Sequence, residues 1–511
     1  MKRGSLGAVE TKGNRMSNNP SSTTGKPGNK TLGLIPLVAF AVGTMVGGGV
    51  FALSGMVVQE AGPGAIISYI AAGLVMLLSA LCFAAVASRA KPGESGYAPI
   101  ATTLSPMWRF ITMWAFYICG VTGIAYVLMS FANYLLTFFP ALKGQSIWFA
   151  LGAAVLLALL NFGPAALVGK AETFMVAFKL AALLLLVIFG FIHFAPAELS
   201  NWLPHGTGSI WSATALLFTA YTGFNVITNM SGSVKNPGKT VPKAIILSLA
   251  VVAVVYIGVA IALVMSKQSG AEGFAEHGLT IAAKELIGQW GAYLVAIAAC
   301  VSTLSGANAN MLGSADLVVH MSANGDLPSK LGHLNKKGDP VSSVTLTAVI
   351  TLILLLLGVL PGIGAEALKI IVIFCNVAAI VAMVIVDVTA VKMGLEKWKT
   401  PGMKLPLGPV IPILAILTAL LQIPSLGWWQ VLVGMAMVAV GFPIWALHKK
   451  YDTGGKADIR AHILSGNTPM GRALLRDGIA GNDVISQASQ EAAKAAQSAQ
   501  AAQNAVKNLD E

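Results

Sequence analysis

Val42-Gly43-Thr44-Met45-Val46-Gly47-Gly48-Gly49-Val50-Phe51 lies in the middle of an apolar run from about Leu32 to Val58. That run is longer than the roughly 20 residues a helix needs to cross a bilayer. Glycine disfavours a helix interior by about 1 kcal/mol per residue. The consecutive Gly47, Gly48 and Gly49 therefore predict a helix that stops and restarts at mid-membrane. Hydrocarbon cannot satisfy freed backbone groups, so a break at that depth has to line a cavity or a ligand. Its free N–H groups suit an anion and its free carbonyls a cation. Close packing through small residues is the alternative reading of the same stretch.

The rest of the 511-residue chain agrees with a membrane setting. It is 56% hydrophobic and only 11% charged, against about 25% charged in a typical soluble domain. The net charge of +12 fits the excess of Lys and Arg in cytoplasmic loops better than it fits nucleic acid. Apolar runs predict about twelve spans, near 33–57, 63–88, 106–139, 146–163, 172–194, 209–234, 242–266, 286–319, 341–361, 366–393, 407–424 and 428–448. Loops on the N-terminal side hold Arg89, Lys91, Lys170, Lys235, Lys239, Lys243, Lys330, Lys336, Lys337, Lys392, Lys397, Lys399 and Lys404. The opposite loops hold Lys143, Lys267, Lys284 and Lys369. This bias places both termini in the cytoplasm of a multi-pass protein of the inner (plasma) membrane.

Residues 1–30 are polar and read as a disordered cytoplasmic arm, 31–448 as the twelve-helix unit and 449–511 as a polar cytoplasmic tail. Cys82, Cys119, Cys300 and Cys375 all fall in apolar segments and read as small core residues, with no metal spacing. Walker-type loops, zinc-ligand spacings and nucleophile elbows are lacking from the sequence, which argues against an enzyme and against ATP-driven pumping.

Phe218 to Pro237 repeats the oddity of the first span, with Gly223, Asn225, Thr228, Asn229, Ser231 and Gly232 interrupting a helix. The first span would run outward and the sixth inward. Two broken helices five spans apart and opposite in direction are what a five-plus-five inverted repeat predicts, here over about 33–194 and 209–393, with extra helices at 407–448.

These motifs carry a resemblance. Gly43 to Phe51, Lys91-Pro92-Gly93-Glu94-Ser95-Gly96-Tyr97, Phe218 to Pro237 with Val241-Pro242-Lys243-Ala244, and Ala323-Asn324-Gly325-Asp326-Leu327-Pro328 together resemble the amino acid–polyamine–organocation superfamily in its bacterial amino acid permease branch. The fold implied is all-α, with discontinuous helices 1 and 6. The resemblance implies a substrate carboxylate on the amides of Gly48 and Gly49, beside Gly47. It implies an α-amino group on carbonyls near Thr44 and Met45 and around Ala220 to Gly223. Tyr97, Phe218 and Tyr221 match positions where the family sets aromatics around substrate; simple packing is the alternative for each.

Lys179, in Phe174-Met175-Val176-Ala177-Phe178-Lys179-Leu180, is the one charged residue well inside a span. A central lysine costs about 3 kcal/mol or more and has a partner or a task, unless it snorkels to the interface. By resemblance, it stands where relatives bind sodium, reaching a carbonyl near Gly43 and a span-eight hydroxyl, Ser305 with Thr303 behind it. Proton coupling is the implied role, although exchangers of the superfamily also carry a lysine here. Asn225 stands where many relatives have an acid, and an amide cannot ionise. No other acid falls in the mapped pocket, Asp316 and Asp387 lying toward the cytoplasmic ends of their spans. This favours neutral over cationic amino acids as substrates. Asn308 and Asn310 add polarity at the same depth, with helix–helix hydrogen bonding as the other reading. The sequence thus predicts proton-coupled uptake of neutral amino acids, without a cofactor or metal. Sodium-independent exchange, including of cationic amino acids or amines, is the first rival and a transporter-like sensor the second.

Overall fold

The glycine run divides the first span as its composition demands. In the computed structural model, helix α1 covers Leu34–Met45 and α2 restarts at Gly49 and ends at Ala61, with Val46 to Gly48 in a turn between them. The structure describes residues 33–451, apart from 91–94, 143, 163–167, 226, 228–236, 336–338, 361–365 and 400. Lys91 to Glu94, Thr228, Asn229, Ser231 and Gly232, together with most of the two expected tails, lie outside the described residues.

The chain continues as α3 (Ala65–Ala87), α4 (Ala98–Thr103), α5 (Pro106–Leu136), α6 (Ser146–Phe162), α7 (Val168–Ile192) and α8 (Thr207–Leu216). Beyond the second break come α9 (Pro237–Met265), α10 (Phe274–Ile287), α11 (Gln289–Ala323), α12 (Val341–Leu356) and α13 (Ala367–Leu395). The last helices are α14 (Val410–Leu420), α15 (Trp428–Ala439) and α16 (Gly441–Tyr451). The described residues are helix, turn and loop, with no strand. Eight stretches among them are long and apolar enough to cross a membrane, and the apolar helices at Ser146–Phe162 and Val410–Leu426 are shorter. The protein is a multi-pass, all-α membrane protein.

Local sequence explains several element ends. Ser105 accepts a hydrogen bond from the Trp108 amide at 3.4 Å and is followed by Pro106, the pairing that starts a helix, here α5. Beyond Arg109, helix α5 is largely apolar all round, and it is buried to the same extent as α13: it packs on α11 along one flank and on α13 along another. Leu414, Leu417, Leu421, Trp428 and Leu432 of α14, its C-terminal extension and α15 are instead exposed, as side chains facing lipid are.

The sixth span is interrupted as well. Helix α8 stops at Leu216, Phe218–Tyr221 forms one tight turn, and Thr222 is extended. Gly223 has φ of +117°, a backbone angle that favours glycine. The two breaks rest on each other: a Cβ at Gly49 would lie 2.7 Å from Ala220 Cα. The first break also lies bare against α11, where a Cβ at Gly47 would meet Gly306 Cα at 3.0 Å. Side chains larger than hydrogen would hold these backbones apart.

Candidate functional site

Three unbroken helices hold the first break in place. From α11, Ser302 donates to the Val46 and Gly47 carbonyls at 2.8 and 2.5 Å. From α9, the Tyr256 hydroxyl lies 2.9 Å from the Met45 carbonyl and 3.1 Å from that of Ala220, joining the two breaks. From α7, fully buried Lys179 donates to the Gly43 carbonyl at 2.8 Å. Gly43 permits that approach, since a Cβ there would come within 2.8 Å of Val176. Thr44 adds a link of its own, its hydroxyl lying 2.9 Å from the Ala41 carbonyl and 3.4 Å from that of Gly223.

The second break is held by α13. Asn376, fully buried, accepts from the Thr219 amide at 3.0 Å and donates to the Leu216 carbonyl at 3.3 Å. One amide side chain thus satisfies a donor and an acceptor freed where α8 ends.

Between the breaks and helices α5, α11 and α13 lies a cavity. Thr44, Met45, Gly48 and Gly49 form its first wall, and Thr219, Thr222, Gly223 and Asn225 its second. Helix α5 contributes Cys119, Gly120, Gly123, Tyr126 and Val127; α11 contributes Gly306, Asn310, Gly313 and Ser314; α13 contributes Cys375. The first amides of a helix have no intrahelical acceptor, so those that open α2 offer donors and the positive end of a dipole to this space. Carbonyls at the end of α1 offer the complement. Such a wall can hold an anion and a cation a few ångströms apart, which is the polar pattern of a zwitterion.

Two clusters of aromatic side chains lie beside the breaks. Toward the end of α2, the Tyr256 ring lies 5.1 Å from that of Tyr221 and 5.9 Å from that of Tyr69. Tyr221 donates to the Tyr69 carbonyl at 2.9 Å, and the Tyr69 hydroxyl lies 2.6 Å from that of Ser54. Toward the start of α1, Phe83 lies 5.6–6.0 Å from Tyr97, Phe116 and Phe224. All seven rings are buried.

A family model described as amino acid permease matches residues 32–446, from before α1 into α16. The chain belongs to the amino acid permease family. Branched-chain amino acid permease BcaP of Bacillus subtilis (strain 168) is 26% identical over 84% of this chain and 95% of its own length. Large neutral amino acids transporter small subunit 2 of Oryctolagus cuniculus is 25% identical over 84% of this chain and 82% of its own. Cationic amino acid transporter 5 of Arabidopsis thaliana is 27% identical over 61% of this chain and 58% of its own. The family is one of carriers and not of enzymes.

Within the permease, the expected site residues separate into groups. Thr44, Met45, Gly48, Gly49, Tyr97, Gly223 and Asn225 line the cavity. Gly47 and Ala220 form the backbone contacts beneath it, and Phe218 and Tyr221 are buried behind its wall. Lys179 meets Gly43 as expected from the resemblance. Ser305 is buried on α11. Thr303 turns back on its own helix, lying 2.7 Å from the Ala299 carbonyl. Ser302 also places an α11 hydroxyl on the first break. Asn310 lines the cavity, whereas Asn308 accepts from Asn161 of α6 at 2.7 Å. Asp316 and Asp387 are buried and neither lines the cavity. Sequence reasoning missed Ser302, Tyr256 and Asn376. A buried asparagine in the apolar stretch of α13 was the available signal for the last of them.

Proposed function

We propose that this permease takes up neutral amino acids across the inner membrane by alternating access, driven by protons, with Lys179 as the coupling group. The bond from Lys179 to Gly43 carries the proposal, because it links a titratable ammonium directly to the broken helix that forms the substrate wall. In this reading the substrate carboxylate accepts from the amides of Gly48 and Gly49. The α-amino group donates to carbonyls at Thr44 and Met45 and to those of the second break. Met45 and Ala220 each keep a lone pair beyond the one Tyr256 uses. Broken helices 1 and 6 belong to two inverted repeats and move together as the clamp. Both termini face the cytoplasm.

A movement of α1 that withdraws the Gly43 carbonyl parts it from Lys179, and its return restores the bond, so the proton cycle is tied to the movement of the first break. Neutral substrates are favoured by Asn225, which presents an amide to the cavity where an acid would offset a cationic side chain.

Uptake of radiolabelled amino acids into proteoliposomes under an imposed pH gradient tests this reading. Accumulation in empty vesicles that follows an inward proton gradient, and is lost in Lys179→Ala, supports it. Uptake that needs amino acid preloaded inside, and ignores the gradient, makes the protein an exchanger.

A further inference from the structure

A groove separate from the substrate cavity opens on the flank of the bundle formed by α5, α6 and α11. Its volume is about 360 Å³, within the range of small-molecule sites. Phe131 comes from α5, Trp148, Phe149, Gly152 and Leu156 from α6, and Leu304 from α11. Apart from the Trp148 indole N–H, these side chains are hydrocarbon, and none of them lines the substrate cavity. Gly152 accounts for much of the space. Glycine inside a helix costs about 1 kcal/mol relative to alanine. At Gly190 and Gly258 a neighbouring helix explains it, since a Cβ would come within 2.5 Å of Ala262 and 2.8 Å of Val187. At Gly152 a Cβ would meet no protein atom within 4 Å. The room it leaves therefore serves something outside this chain.

We propose that this groove binds one acyl chain of a phospholipid. Length selects the occupant. The mouth lies at the membrane boundary where α5 ends and α6 and α11 begin. Trp148, Trp290 and Tyr293 are exposed there, and Phe138 stacks on Tyr293 with ring centroids 6.0 Å apart. Tryptophan and tyrosine gather at headgroup level, so the headgroup stays among these rings. The floor is Leu156 and Leu304. From Tyr293 to Leu304 is 11 residues along α11, or about 16 Å at 1.5 Å per residue. That is half of a hydrocarbon core about 30 Å thick, the depth of a single leaflet. A partner transmembrane helix would instead need a face running the full thickness of the core. The groove is also continuous with surface that faces lipid, since Val155, Leu159 and Leu160 of α6 are exposed beside it. The far end of the bound chain rests on Leu304, within a turn of Ser302, whose hydroxyl holds the Val46 and Gly47 carbonyls. The lipid thus packs on the helix that supports the first break.

The test places the purified full-length protein in nanodiscs of phosphatidylcholine brominated midway along one chain, and images them by cryo-electron microscopy. Continuous chain density in the groove is expected, with a bromine peak beside Gly152. That peak should exceed any at Leu417 and Leu432, which are exposed on α14 and α15. Bromine signal no higher than at those residues, or an α-helical density in the groove, overturns the proposal. Gly152→Phe fills the space with a side chain whose Cβ displaces no protein atom. This variant should keep the melting temperature of the unaltered protein and lose the groove density. It should also lose a phospholipid that stays with the unaltered protein through detergent exchange. Groove density retained in Gly152→Phe overturns the proposal as well. Images of the unaltered protein decide the matter even where the variant fails to fold. None of these readouts uses amino acid transport, so they stand apart from the proposed transport cycle.

Discussion

Lys179 and Gly43 meet across 2.8 Å, the ammonium arriving from the uninterrupted helix α7 and the carbonyl from the last turns of α1 before its break. This bond joins a group that can change charge to the backbone whose position defines the cavity. In Lys179→Met the packing volume is kept and the charge is lost. We expect proton-driven uptake to fall at least 10-fold, equivalent to about 1.4 kcal/mol. Thermal unfolding should change little, since the lost hydrogen bond is offset by the removed cost of burying a charge. Initial rates in proteoliposomes and a melting curve on the same preparation check both halves.

Gly48 tests the carboxylate assignment. A Cβ there would come within 2.3 Å of Val127, so Gly48→Val fills the space before the amides of α2. Substrate binding should be abolished, as measured by amino acid-dependent thermal stabilisation. Gly48→Ala combined with Val127→Ala should recover the fold. Retained affinity in Gly48→Val sinks the assignment.

Ser302 is the hinge support that the sequence alone did not single out. Ser302→Ala leaves the Val46 and Gly47 carbonyls without their donor, in a region fully buried from water. An unsatisfied buried acceptor costs about 1–3 kcal/mol. The variant should therefore unfold at lower temperature and bind substrate more weakly. Melting curves and substrate titrations of the variant beside the unaltered protein decide the matter.

Asn225 offers a change of specificity. Its side chain accepts from the Gly223 amide at 3.2 Å and borders the cavity. In Asn225→Asp the same oxygen geometry is available, now with a negative charge. Arginine and lysine should gain as competitors of uptake relative to leucine. An unchanged competition profile would show that this position does not read substrate charge.

The sequence made the breaks legible because glycine acts through the backbone, whose demands are local. Gly47 to Gly49 in an apolar run allowed few outcomes. Lys179 was legible for a similar reason, a single charge having no inexpensive place in hydrocarbon. The hydroxyls were harder. Ser302, Thr303 and Ser305 lie within one turn of α11, and choosing among them requires the rotation of that helix about its axis. Polar residues stand on several sides of α11, Asn308 and Asn310 among them, so the sequence does not reveal that rotation. Tyr256 and Asn376 act on backbone groups of other helices, and Cys119 meets Cys375 only through the packing of α5 on α13. Such pairings carry no linear spacing to detect.

The two aromatic clusters described above differ in kind. Tyr69, Tyr221 and Tyr256 each pair a ring contact with a hydroxyl bonded to a fixed atom. Hydrogen bonds hold within a few tenths of an ångström, so this cluster packs in a single register. Apart from the Tyr97 hydroxyl, the rings around Phe83 carry no polar atom, and ring pairs remain attractive over centroid separations from about 4.5 to 7 Å. Those rings can therefore slide against one another and stay in contact, a freedom that the hydroxyl-bonded rings of the first cluster lack.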